Sequence, residues 1–144
     1  MMIAMIGDIS VSSVLPAFYK GYSIRKMSIS ALGNPKSPVR TIFNIWMFIE
    51  GLLFLLSTPA FFRIYSMVSP ALAVTASAFI AVFAVGACIF TCFFSVNESK
   101  EQVTVASKIH GAGSVIGFML FLFVPLLVRF FRLRMRKVET GSSA

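Results

Sequence analysis

Three long stretches of this chain are almost free of polar side chains. Residues 42–62, IFNIWMFIEGLLFLLSTPAFF, are apolar apart from Asn44, Glu50 and a few hydroxyls. Residues 70–96 carry no charge, and residues 111–131 are interrupted only by Arg129 near the end. Each stretch reaches the ~20 residues that a helix needs to cross about 30 Å of hydrocarbon. Lipid offers the backbone no hydrogen-bond partners, so such crossings are helical, and the unbroken apolar pattern lacks the alternation of a barrel strand. Residues 1–19, MMIAMIGDISVSSVLPAFY, are also apolar but are interrupted by Asp8, three serines and Pro16. No basic leading segment or small-residue cleavage site marks them as a cleaved signal peptide. They read as a short first span, the alternative being an interfacial helix. The expected fold is all-α: a polytopic transmembrane helical bundle of about four spans, with a single domain over residues 1–137 and a polar, disordered tail at 138–144.

Helix punctuation fits these boundaries. Pro35 and Pro38 precede the second span, and Pro70 opens the third at a position where a missing N–H costs nothing. Pro59 and Pro125 lie inside spans and are expected to kink them. The short link from Arg63 to Ser69 makes the second and third spans antiparallel neighbours, whereas the link over 97–110 is longer and polar. The loop KGYSIRKMSISALGNPKSPVR, residues 20–40, is rich in turn formers, with Ser28, Ser30, Gly33, Asn34 and Pro35.

Composition sharpens the membrane reading. The 144 residues are 58% hydrophobic and only 12% charged, with a mean hydropathy of +0.89. Soluble domains run at about 45–50% apolar and about 25% charged, and one this small could not bury so much apolar surface in its own core. The net charge of +8 does not point to nucleic acid, because the basic residues sit between or just beyond the apolar runs, as membrane-flanking charge does. Membrane lipids are the expected partners, together with a homo-oligomer or a partner membrane protein. The basic residues on the two membrane sides nearly balance, and the dense block RFFRLRMRK favours both termini inside a cytoplasmic membrane.

Small residues mark packing faces. Ala73, Ser77, Ala81, Ala84 and Cys88 recur at steps of four, four, three and four, and Gly113 and Gly117 form a Gly-x-x-x-Gly pair. Such faces let membrane helices approach closely where apolar burial gives no net drive. Cys88 and Cys92, one helical turn apart, are held too far apart for a disulfide and read as packing residues. With a single histidine in the chain, neither a metal site nor a cofactor is expected.

Ionisable groups inside spans are costly and are functional candidates by default. Glu50, near the middle of the second span, reads as a proton- or cation-carrying carboxylate, or as a group that fixes helix packing. Asp8 is a weaker case, being within reach of the interface. His110 stands where the polar link meets the fourth span and suits a general base or a pH-sensitive group, or a cap on loop carbonyls. Arg40 and Asn44, one turn apart, fall on the same membrane side as His110 in a four-span arrangement, and Arg40 also suits contact with a lipid phosphate. Ser28 and Ser30 belong to a hydroxyl-rich basic loop suited to lipid headgroups. No nucleophile elbow, metal-ligand spacing or phosphate-binding glycine loop is present.

The run YKGYSIRKMSISALGNPKSPVRTIFN, the following WMFIEGLLFL and the later IHGAGSVIGFMLF resemble the bacterial integral membrane family called domain of unknown function 998. The resemblance covers about residues 5–130, and its most specific parts are Ser28-x-Ser30-x-x-Gly33, Phe43-Asn44, Gly51 and His110-Gly111. It implies fold and location but no reaction. It also implies six spans where this chain holds four, so that the chain is a shorter variant, a truncated frame or a fragment whose exposed apolar face an oligomer would cover. The expected function is a non-enzymatic membrane component that binds lipid or a partner protein. The alternatives are an oligomeric, proton-coupled permeation unit using Glu50, and a membrane-embedded hydrolase using His110.

Overall fold

The computed structural model describes residues 1–94, 96 and 104–141, with side chains described as far as residue 136. Lys100 and the rest of 97–103 in the polar link, and residues 142–144 of the tail, lie outside the described residues. Every regular element among those described is helical.

Helix α1, Met2–Val14, is too short at about 20 Å to cross the hydrocarbon alone. Its serines are made compatible with an apolar helix by bonding back to the preceding turn: Ser10 Oγ donates to the Ile6 carbonyl at 2.8 Å and Ser13 Oγ to the Ile9 carbonyl at 2.6 Å. A 3₁₀ turn, Leu15–Phe18, with Pro16 at its start, tightens the exit. The loop that follows folds back onto the bundle. Gly21 supplies a left-handed turn at φ 88°. A second 3₁₀ turn, Ile29–Gly33, inserts Leu32 at 0% exposure. Asn34 Oδ1 accepts from the Lys36 amide at 2.9 Å, closing the turn before Pro38.

Three helices are long and apolar enough to span a membrane. Helix α2, Arg40–Ser66, runs for 27 residues through Pro59 without a break. Ser57 and Thr58 hydroxyls donate to the Phe54 carbonyl just before the proline, at 2.8 and 2.9 Å. Helix α3, Pro70–Phe93, begins with proline in its first turn and contains a widened π segment at Ala84–Ile89. Helix α4, Val105–Phe121, opens on a reciprocal cap in which Thr104 Oγ1 accepts from the Ser107 amide and Ser107 Oγ from the Thr104 amide. It stops short of Pro125, which has no N–H for the Phe121 carbonyl. After a two-residue turn at Leu122 and Phe123, helix α5, Val124–Gly141, continues to the end of the described chain. The break at Pro125 has the physical cause expected for it, whereas Pro59 is absorbed within α2.

Helix α3 is the centre of the bundle. Within its apolar window 44% of residues are buried, against 22% for α2 and 17% for the stretch through α4 and α5, whose remaining faces are turned to lipid. Its inward line runs through Ala73, Ala76, Ile80, Phe83, Ala84, Ala87 and Thr91. Ser77 and Ala81, on the small-residue stripe with Ala73, Ala84 and Cys88, are only half-buried. The π segment is clasped on both sides, so Ala84, Gly86, Ala87 and Cys88 are all buried. On the α4 side a Cβ at Gly86 would lie 2.6 Å from the Gly113 carbonyl oxygen, and one at Gly113 would lie 2.7 Å from the Gly86 oxygen. Gly117 packs against Ala87 and Phe83, so the Gly-x-x-x-Gly pair is used within one chain. On the α2 side Gly51 rests against Ala84, Cys88 and Ile89.

An aromatic cluster fills the middle of the bundle. The Phe83 and Phe121 rings stack at 4.3 Å, and Phe54 meets both edge-on at 5.2 and 5.6 Å. Farther toward the α5 end, Tyr65 stacks on the buried Phe131 at 4.6 Å. Because dispersion and close backbone approach replace the hydrophobic drive in lipid, the Gly86–Gly113 contact is expected to carry much of the helix association. Gly86→Val or Gly113→Val is expected to lower the melting temperature of the detergent-purified protein by roughly 3–10 °C, as overpacking costs about 1–3 kcal/mol. Gly111→Ala, where nothing lies within 4 Å of the added carbon, is expected to leave it unchanged; equal losses at all three would show that the close approach is not what holds α3 to α4.

Candidate functional site: a polar cavity at the loop end of the bundle

Helix direction determines which groups can meet. The C-terminal turn of α1, the start of α2, the end of α3 and the start of α4 all lie at the end of the bundle covered by the 20–39 loop. A cavity of about 290 Å³ opens there between them. Helix α1 contributes Asp8 and Ser12, which share a face because they are one turn apart. The loop contributes Ser28, Ile29 and Ser30. Helix α2 lends Phe43 and Met47, helix α3 lends Ala87 and Thr91, and helix α4 lends His110, Ser114 and Phe118. Seven of these twelve side chains are polar, in a chain with few polar residues in its apolar segments, and none is lysine or arginine.

The polar groups differ in how far they are already satisfied. Ser28 and Ser30 are joined through their hydroxyls at 2.9 Å. Ser12 reaches Asp8 Oδ1 at 3.5 Å, the outer limit of a hydrogen bond. Thr91 Oγ1 bonds back to the Ala87 carbonyl at 2.5 Å. His110 is only 6% exposed; its ring is tied to the Phe94 backbone, and its Nδ1 is buried without a hydrogen-bond partner. A buried nitrogen without a partner costs about 1–3 kcal/mol. The chemistry on offer is hydrogen bonding to a small polar group: hydroxyls that give and accept, a carboxyl, and an imidazole with one open position.

Asp8, Ser28, Ser30 and His110 are therefore brought together. Ser12, Ser114 and Thr91 join them without having been singled out in the sequence. The signal for two of these was present, since Asp8 and Ser12 and likewise His110 and Ser114 are spaced by one helical turn. Arg40 and Asn44 do not join. They line a separate groove of about 490 Å³ with Phe48, Cys92 and Phe93. Asn44 Oδ1 is buried without a partner beside Gly33, where a Cβ would lie 2.6 Å from it, so Asn44 packs beneath the loop.

Glu50 also stands apart from the cavity lining. It is 3% exposed, one residue before the Gly51 contact with α3, and its Oε2 has no hydrogen-bond partner. It lies close enough to Asp8 to feel its charge, and both act on Cys88. The Trp46 indole, pressed against Gly7, ties α1 to α2 on this side.

A family model described as a protein of unknown function, DUF998, matches residues 2–141. The chain belongs to that family. No curated protein and no solved structure matches it. Membership spans nearly the whole chain and, with the three long apolar helices, makes it an integral membrane protein of the family met above by resemblance. The family description carries no activity, so function rests on the cavity.

The geometry of Glu50 predicts a stability effect of definite sign. A buried carboxyl with an open oxygen is costly, and apolar replacement of such groups is commonly neutral or stabilising. Glu50→Met is expected to raise the melting temperature of the purified protein, by the few degrees that about 1–2 kcal/mol provides. A fall of that size would show that its other oxygen anchors the helix pair.

Proposed function

We propose that this protein is a non-enzymatic, multi-pass component of a bacterial cytoplasmic membrane that holds the polar head of a membrane amphiphile in the cavity under the 20–39 loop. The supporting observation is the cavity lining: His110, a nearly buried imidazole whose Nδ1 has no hydrogen-bond partner, stands in a wall rich in hydroxyls. A volume of about 290 Å³ lies at the small end of ligand sites, which run to roughly 300–1,000 Å³. That suits a headgroup whose chains stay in the surrounding lipid. The apolar part of the wall, Phe43, Met47 and the exposed Phe118, favours an amphiphile over a free ion.

A second reading has one observation in its favour. Hydroxyl, imidazole and carboxyl side chains share the same cavity, which is the set that an acyl hydrolase uses. Against it, Ser28 and Ser30 are paired with each other, Ser12 is turned to Asp8, and Nδ1 of His110 has no hydroxyl on it. Coupled permeation through Glu50 is less well supported, because Glu50 is absent from the cavity lining.

Native mass spectrometry of the protein released from mild detergent tests the binding reading. The wild type is expected to retain an amphiphile whose mass is unchanged on prolonged incubation. Ser114→Leu, which fills the cavity from a half-buried position, is expected to weaken retention at least about ten-fold, equivalent to 1.4 kcal/mol. Equal retention by both proteins would remove the cavity as the site, and loss of an acyl chain dependent on His110 would establish the hydrolase.

A further inference from the structure

The charges around the cavity narrow the chemistry of its occupant, given that the cavity is the binding site. The chain carries 13 lysines and arginines, and none of those among the described residues lines it. Phosphate-bearing headgroups are recognised by cationic side chains or helix N-termini. Here the start of α4 is already capped by its own Thr104 and Ser107, and the lining residue of α4 nearest to that end is His110, well inside the helix. A phosphate in this cavity would face the Asp8 carboxyl with no fixed counter-charge, in surroundings where charge repulsion is weakly screened. Among the described residues an anionic headgroup therefore meets repulsion and no cationic partner, a combination on which selectivity is built.

We propose that the occupant is the uncharged polyhydroxyl head of a lipid, a glycerol or hexose unit. Each hydroxyl of such a head gives one hydrogen bond and accepts others, matching the mixed donors and acceptors of Ser28, Ser30 and Ser114. The Asp8 carboxyl accepts from hydroxyls, and the His110 imidazole stands in the same wall. Phe118, on the lipid side of the cavity, offers an apolar face to the C–H surface of a sugar ring.

The test uses the full chain reconstituted in phosphatidylcholine nanodiscs. These carry, in separate samples, a headgroup-diazirine monoglucosyl diacylglycerol, the matching phosphatidylglycerol, or a matching lipid with a primary-amine head and no phosphate. Crosslinked peptides are mapped by mass spectrometry. The glucosyl lipid is expected to label the peptides around Asp8, Ser30 and Ser114 about ten-fold more than the phosphatidylglycerol, the worth of one or two hydrogen bonds. Asp8→Asn, which removes the carboxylate charge, is expected to raise labelling by the phosphatidylglycerol and so narrow the ten-fold gap. His110→Phe is expected to lose the glucosyl-lipid labelling, and Ser114→Leu provides the second cavity-blocking variant should His110→Phe not fold. Equal or stronger labelling by phosphatidylglycerol overturns the headgroup assignment while leaving the cavity as a binding site. Preferential labelling by the amine lipid, lost in Asp8→Asn, overturns it in favour of an ammonium head. No labelling of the cavity by any of the three overturns both the assignment and the binding reading beneath it.

Discussion

The close approach of α3 to both of its neighbours is the constraint on which the rest of the molecule depends. In lipid, Leu and Phe gain little by leaving the solvent, so helices associate where their backbones can come near enough for dense dispersion contact. Here that happens along one segment, Ala84–Ile89, with Gly51 of α2 on one side and Gly113 and Gly117 of α4 on the other. The π widening coincides with this double contact. A helix squeezed from two sides cannot present small residues to both neighbours through one narrow stripe, and the wider turn spreads Ala84, Gly86, Ala87 and Cys88 around the contact instead.

The position of the polar cavity follows from that contact. It lies at the loop end of the clasped segment, and Ala87 belongs to both, packing on Gly117 while forming part of the cavity wall. The helices are therefore held at fixed spacing immediately beside the polar groups, as a binding site requires of its supporting elements. The loop completes the enclosure. Leu32, fully buried, pins the turn that carries Ser28 and Ser30, which places these hydroxyls at the rim of the cavity.

The architecture was legible from apolar run length and charge placement alone, since lipid permits so few alternatives. The small residues of α3 and α4 were legible as packing faces, but their register was not. Ser77 and Ala81 fall on the expected stripe and are half-buried, because the partners on two sides draw the inward face toward Ala76, Ile80 and Ala87. Asp8 and His110 stood out because ionisable groups in apolar segments are rare. That they share a cavity was not readable, since 102 positions separate them and only the fold-back of the loop and the order of packing join them. Arg40 and Asn44 show the opposite case. Helical spacing and membrane side group them with His110, but they face the other flank of α2, and neither spacing nor side specifies rotation about a helix axis.

The distribution of polar groups also explains how a short α1 carrying Asp8 fits an otherwise apolar bundle. A helix of about 20 Å cannot satisfy the hydrocarbon thickness, and an acid in its second turn would be costly against lipid. Docked on α2 by the Trp46–Gly7 contact, α1 turns Asp8 and Ser12 toward the cavity and leaves Ile3, Ile6 and Ile9 outward. The acid then lies among hydroxyls, and packing on α2 positions the helix. The same arrangement weighs against covalent chemistry. Each hydroxyl with a described bond in the cavity is bound to another lining side chain or to its own helix backbone, and the histidine is left without one. A nucleophile must be held against its base before reaction, and the described bonds of these groups hold no hydroxyl against the imidazole Nδ1.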